Sequence, residues 1–401
     1  MAVSWGRSFG TVQTTNLVDN NRCRLNTGLP VCCAIWNESE PRSVYRFGGR
    51  SVGCVTERVY VPSAFEVLQL EKAQFFDNIT DFRLRKQTVI EYITSERDLN
   101  DSYSWMTGVK RHMRSPSTSL FTEEELRLDE HYLSYFRVTQ KCPHHALHTW
   151  IEWIEPLTIH ARNPFSLLGC VKIKSANLAK RYPLFAPFIQ AATILNGIYN
   201  TDHILLHPMA EKMHRGNHKS NSRGQGKNYF FDAGTSSFES SMWWFTCMYN
   251  QRNITFDSLY GWEFTLLEPA KFWEEVPSLM RPKYHFYNIK MSSDPLDGNS
   301  PLRMIRQIAG EQDFVSFKLD IDTPSVEIPT VLEILKDESL QRLIGEFFFE
   351  LHFRCEIMMY CGWGEGNKVP EESFGVKLHR WNVLDLFQQL RKAGVRSHFW
   401  P

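Results

Sequence analysis

Two acidic residues, Asp320 and Asp322, close an apolar run, Phe314-Val-Ser-Phe-Lys-Leu. On a strand, side chains alternate between faces, so residues two apart point the same way. Further on, Glu346, Glu350 and His352 recur at even spacing within Ile344–Phe353. If the two segments are neighbouring strands, several carboxylates and one imidazole converge. Hard oxygen donors with a single nitrogen suit Mg²⁺ or Mn²⁺. Asp320, Asp322 and Glu346 are therefore the expected metal ligands. Asp320 or His352 is the expected general base for a hydroxyl substrate.

A second constellation lies upstream. Tyr229-Phe-Phe231 ends in Asp232-Ala-Gly234-Thr-Ser236, and Ser240–Met248 then has the character of an aromatic-rich helix. Strand, tight glycine turn and helix is the arrangement at the first ligand-binding edge of doubly wound sheets. There glycine admits close approach and the helix start offers free N–H groups. Leu259-Tyr-Gly-Trp-Glu263 follows after about one strand–helix unit. A carboxylate at its end can accept from both hydroxyls of a ribose.

These residues need a scaffold, and the pattern supplies one. Apolar runs at Tyr284–Asn288, Phe314–Asp322 and Ile344–Phe353 alternate with helical segments Val326–Leu335 and Val383–Ala393, and Gly394 is placed as a C-cap. Strands alternating with helices predict a mainly parallel sheet. Upstream, Ala64–Phe76 has helical spacing, and Thr122 with Glu125 forms a capping box opening a helix towards Tyr135. Residues 1 to 60 read as irregular with short strands. His144 and His148 would share a helix face. No companion ligand stands at a recognisable spacing, so they are read as structural. Residues 184–206 read as a buried helix, and 207–227 as a basic loop. The resulting organisation is an N-terminal extension over 1–140, a helical region with the basic loop over 141–227, and an α/β domain over 228–401.

The 45 basic and 45 acidic residues leave no net charge, which argues against general nucleic-acid binding. No apolar run approaches membrane-spanning length. The first residues lack the apolar core of a secretory leader. Nine cysteines are spaced irregularly, with no C-x-x-C pair. Free thiols are favoured over disulfides, and the cytoplasm over a secretory lumen.

The segments FFDAGTSSF, LYGWE and DFVSFKLDIDTPSVEIPTVLEIL resemble the successive motifs of FkbM-type methyltransferases. In that family one strand ends in Asp-x-Gly, a second in Glu-Pro or a relative, and a Lys-x-Asp-x-Glu-Gly-x-Glu segment follows. The resemblance spans Tyr229 to Pro401. WIEPLT, LDIDTP and EFFFE are also similar to an uncharacterised eukaryotic branch. What it implies is a Rossmann-like methyltransferase sheet, with a mixed α+β N-terminal extension outside it. S-adenosylmethionine would be held by Asp232, Gly234, Ser236 and Glu263, and methyl transfer would go to a hydroxyl of a small molecule or glycan. Asp320 matches the acidic residue of the fourth strand, and Glu327 that of the following helix. The sequence departs from the family in three places. The loop has one glycine, Ser236 and Phe238 stand at its other glycine positions, and Asp-Thr-Pro replaces Glu-Gly-Ala. Two further readings stay open. One is a catalytically inactive scaffold with a protein partner on the N-terminal region. The other is a metal-dependent glycosyltransferase using Asp320-x-Asp322.

Overall fold

The computed structural model describes residues 55–93, 95–114, 122–143, 146–154, 226–250, 254–354 and 369–400. In its N-terminal part, Val55–Val61 (β1) pairs antiparallel with Tyr135–Lys141 (β2), and β2 with His148–Trp153 (β3). Between β1 and β2 lie the helices Ala64–Asp77 (α1), Phe82–Ile93 (α2), Glu96–Arg114 (α3) and Glu123–Tyr132 (α4). The capping box opens α4, as its spacing predicts. Phe65, Trp105, Leu133 and Trp153 are among the residues that close a small core.

Three expectations fail here. The boundary at 140/141 falls inside the β2–β3 hairpin. His148 sits on a strand, so it shares no helix face with His144, which lies outside the described residues. Cys142 is disulfide-bonded, against the reading of free thiols. The expected helix at 184–206 and nearly all of the basic loop lie outside the described residues.

The second part alternates strands and helices, as expected. In chain order it contains Asn228–Ala233 (β4), a π turn over Phe238–Met242, Trp243–Asn250 (α5), Ser258–Trp262 (β5), Pro269–Glu275 (α6) and Tyr284–Tyr287 (β6). Then follow Pro301–Ile308 (α7), Phe314–Leu319 (β7), Pro324–Lys336 (α8), Glu338–Leu343 (α9) and Ile344–Phe349 (β8). A short hairpin, Glu372–Ser373 (β9) with Val376–Lys377 (β10), precedes Arg380–Lys392 (α10) and Arg396–Phe399 (β11). Gly394, at φ +88°, lets the chain turn out of α10, as its C-cap position predicts.

Six of these strands form one parallel sheet in the order β11-β8-β7-β4-β5-β6. This is the order of doubly wound, Rossmann-like sheets, and it reverses between β4 and β7. Both faces are covered, which is why β7 and β11 are buried at every position rather than alternately. Phe230 and Phe348 pack towards α5 through Phe245. Phe231, Phe317 and Phe347 face the opposite core, which includes Val331 of α8 and Phe387 of α10. β7 and β8 end earlier than the sequence suggests. Asp320, Asp322, Glu350 and His352 therefore leave the sheet on loops at its carboxyl edge.

The N-terminal part is fastened to the last helix. Arg391 Nη1 on α10 lies 2.9 Å from Glu66 Oε2 on α1, and both side chains are buried. Glu66 also accepts from Ser134 Oγ at 2.5 Å and from the Tyr60 hydroxyl. At the other end of α1, Asp77 Oδ2 accepts from Trp381 N at 2.8 Å and so caps α10. Removing one member of a buried ion pair strands the other charge, at a cost of about 3–5 kcal/mol. Arg391→Met should lower the unfolding free energy in urea by that amount. The double variant Glu66→Gln/Arg391→Met should recover a substantial part of the loss, as coupling in a double-mutant cycle.

Candidate functional site at the carboxyl edge

At the reversal point, the sheet register sets Asp232 of β4 directly opposite Lys318 of β7. Lys318 Nζ lies 3.0 Å from Asp232 Oδ1 and 3.0 Å from Asp320 Oδ2. The ammonium is 1% exposed, so two carboxylates compensate a charge that water cannot reach. Burial acts against that charge, but the two carboxylates outweigh it and hold the lysine above its ordinary range. The other oxygen of Asp232 accepts from Ser241 Oγ. Trp400, just past β11, donates its indole N–H to Asp320 Oδ2 at 3.1 Å. Burial would raise Asp320, yet Lys318 above all, with bonds to Glu350 and Trp400, holds it below the usual carboxylate range.

The loop after β4 is filled by the chain itself. Gly234 has φ +100°, and a Cβ there would stand 1.6 Å from the carbonyl oxygen of Asp320. The glycine thus makes room for the β7 loop, whose Asp320 N donates to Ala233 O at 3.0 Å. The N–H groups of Gly234 and Thr235 both donate to Trp262 O, at 2.9 and 3.0 Å. Phe238 is buried, with its ring 5.6 Å from that of Tyr284, and so belongs to the core. Of the four residues expected to hold S-adenosylmethionine, Asp232 and Gly234 are engaged internally, whereas Ser236 is exposed and Glu263 half-buried. Glu263 Oε1 accepts from Thr265 N at 2.6 Å, and its second oxygen has no hydrogen-bond partner among the described residues. The β4 loop does not form a cradle for that cofactor, and of the four residues Glu263 alone keeps a carboxylate oxygen without a hydrogen-bond partner among the described residues.

The convergence expected between the fourth and fifth strands exists, with different members. Asp322 adopts φ +52°, a left-handed conformation that Asp tolerates better than most residues, and this turns it out of line with Asp320. Asp322, Glu350 and His352 each offer a ligand atom, all within 4.8 Å of one another. His352 Nε2 lies 3.5 Å from Asp322 Oδ1 and 3.6 Å from Glu350 Oε2. Two carboxylates and one imidazole are a donor set suited to a divalent cation. Beneath them, Glu327 on the first turn of α8 accepts from Ile321 N at 2.9 Å and braces the loop. Burial pushes Glu327 up to about 7, over the opposing pull of that N–H. Burial also raises Glu350, which shares a hydrogen bond with Asp320. Burial lowers His352, but Glu350 and Asp322 outweigh it and raise the imidazole.

Glu346 does not join this cluster. It pairs with Ser316 inside the sheet, four residues and about 13 Å along the strand before Glu350. There it is buried, bonded to the Tyr249 hydroxyl and 2.7 Å from His398 Nε2. The Asp320-x-Asp322 pair is split, because Lys318 takes Asp320. A carboxylate held below its ordinary range is also a weak proton acceptor, so Asp320 suits a general base less well than Glu327. Lys318 and Glu327 were legible as chemistry-bearing types in the sequence. Trp400 and Ser241 carried no signal, since only the topology brings them to Asp320 and Asp232.

Glu327 gives the metal-free protein a pH signature. Its folded pKa lies above the unfolded value, so the native state holds a proton that the unfolded state has released. The resulting penalty is absent below about pH 4.5, grows as pH rises towards 7 and is complete above it, on the order of 3 kcal/mol. Unfolding free energy measured in chelator should fall across that window. In Glu327→Gln the fall should be smaller, with a net gain in stability at pH 8, while Asp98, raised by burial to about 6, keeps part of the decline.

No model of a known protein family, no curated protein and no solved structure matches this chain.

Proposed function

We propose that this chain transfers a group to a substrate hydroxyl at the carboxyl edge of β7 and β8. In this reading Asp322, Glu350 and His352 hold Mg²⁺ or Mn²⁺, and Glu327 accepts the hydroxyl proton. The observation that carries the reading is the cluster itself, with three ligand atoms mutually within 4.8 Å beside a carboxylate raised to about 7. A bound cation supplies Lewis acidity, which lowers the pKa of a hydroxyl held against it. Glu327, a buried carboxylate that its surroundings hold above the usual range in the metal-free chain, is the group we assign to take that proton. His352 serves as ligand rather than base while a cation is bound, and must release its own proton first. The donor implied by the family resemblance is S-adenosylmethionine, which would make the reaction O-methyl transfer with Glu263 as ribose ligand, but the β4 loop does not fit it, so the reading rests on the cation cluster and not on that donor. One observation favours a second reading, a scaffold without activity. The β4 loop is packed on the chain's own backbone where a cofactor would lie.

Calorimetry separates the two. Titration with Mn²⁺ should give one site of micromolar affinity, weakened at least about tenfold in His352→Ala and in Glu350→Gln. Titration with S-adenosylmethionine should show binding that Glu263→Ala abolishes and that Ser325→Ala, at an exposed residue on the first turn of α8, leaves intact. Folded protein that takes up Mn²⁺ but no S-adenosylmethionine at millimolar concentration would remove methyl transfer while keeping the cation centre. Protein that takes up neither would leave the scaffold reading.

A further inference from the structure

Asp98 stands on the first turn of α3, behind Ser95, whose Oγ accepts from Asp98 N at 3.3 Å. An acidic residue three places after a serine cap ordinarily turns back towards that cap. This one turns inward, where α1, α2 and α3 meet, and is 1% exposed. Its Oδ1 accepts from Gln69 Nε2 on α1 at 3.3 Å. The same amide donates to the Tyr92 hydroxyl on α2 at 3.3 Å. Asp98 Oδ2 is buried and has no hydrogen-bond partner among the described residues. We infer that Asp98 is the bolt of a pH-sensitive latch, which holds α3 against the α1–α2 pair when protonated and loosens when charged.

The surroundings set the direction of the switch. A buried carboxylate without a cation favours its neutral form, because burial penalises charge. Once protonated, Asp98 can also donate a hydrogen bond, which the charged form cannot. The titratable and charged groups around it do not compensate its charge. On α3, Asp101 adds a second carboxylate, and the largely exposed Arg97 lies 3.9 Å from Asp101. On α4, the Tyr132 hydroxyl donates to Asp101 Oδ1 at 3.1 Å. On α1, Lys72 Nζ stands over the Tyr92 ring, 5.4 Å from its centroid, and Glu66 is committed to Arg391. None of the described cations pairs with Asp98. Gln69, Tyr92 and the N-terminal dipole of α3 favour the charged form. Burial outweighs them and raises Asp98 to about 6.

What the latch holds adjoins the larger core. Ala73 and Phe76 of α1 and Val89 of α2 belong to the same buried cluster as Phe231 and Phe317 of the sheet. Phe76 meets the Tyr92 ring edge-on at 5.5 Å, and the Arg380 guanidinium of α10 lies over the Phe76 ring at 5.5 Å. Tyr92 therefore touches the bolt on one side and this core on the other. In an opened state Asp98 returns to its ordinary value, about 3.9. The closed state then binds the proton more tightly than the open one, so its advantage is complete below about pH 3.9. That advantage falls as pH rises and is lost above about 6. Acid tightens the latch, and neutral pH loosens it.

The test is amide hydrogen exchange, read by mass spectrometry on the full chain in chelator and corrected for intrinsic rates. Between about pH 4.5 and 7.5 the opening constant of α2 and of the first turns of α3 should rise about twentyfold. In Asp98→Asn, whose amide can donate as the protonated acid does, the rise should disappear. Glu327→Gln should leave it in place, because Glu327 belongs to α8 and acts on global unfolding. A rise of less than about threefold in the parent chain, or one that Asp98→Asn retains, would overturn the inference. So would a rise that Glu327→Gln abolishes. If Asp98→Asn does not fold, the ¹³C titration of the Asp98 carboxyl in the parent chain decides. A midpoint near 6 supports the latch, and one below about 5 overturns it.

Discussion

A single buried lysine organises the carboxyl edge. Lys318 cannot remain charged inside the sheet without Asp232 and Asp320, and the pairing can form only if β4 and β7 are neighbours in that register. The pair lies where the strand order reverses, the position at which doubly wound sheets usually open a ligand crevice. Here the crevice is occupied by the ion row and by the Gly234 loop pressed on Asp320. The Asp-x-Gly and Lys-x-Asp motifs, far apart in the chain, are thereby partners in one interaction. Commitment of Asp320 to Lys318 leaves Asp322 to turn outward towards Glu350 and His352. The cluster of Asp322, Glu350 and His352 is thus displaced from the reversal point towards β8.

Much of this was legible in the residues, and the failures have physical causes. The alternation of strands and helices, the capping box before α4 and the C-cap at Gly394 depend on local chemistry, so sequence spacing carried them. Asp322 was misplaced because period-two reasoning assumes the strand continues, whereas the backbone leaves the extended region at that residue. Glu346 was misplaced for a related reason. Even spacing does put it on the same face as Glu350, but a face is long, and Glu346 lies in its middle under Tyr249 and His398. The antiparallel sheet of the N-terminal part escaped notice because β1 and β2 are separated by four helices, and no local pattern reports so distant a pairing.

The two parts of the chain depend on each other. Glu66 meets Arg391 at one end of α1, and Asp77 caps α10 at the other. A helix whose end is capped from so far along the sequence cannot take its native position without that partner. The same arrangement sets the C-terminal end of α1 against the start of α10. The N-terminal part is therefore tied to the last helix of the sheet domain at both ends of α1.

Anomalous X-ray diffraction from crystals soaked in Mn²⁺ bears most directly on whether the β7–β8 edge, rather than the reversal point, is the working centre. One manganese peak coordinated by Asp322, Glu350 and His352, with none beside Asp232 or Glu346, is the expected result. A peak beside Asp232 or Glu346, or none at saturating Mn²⁺, would contradict it.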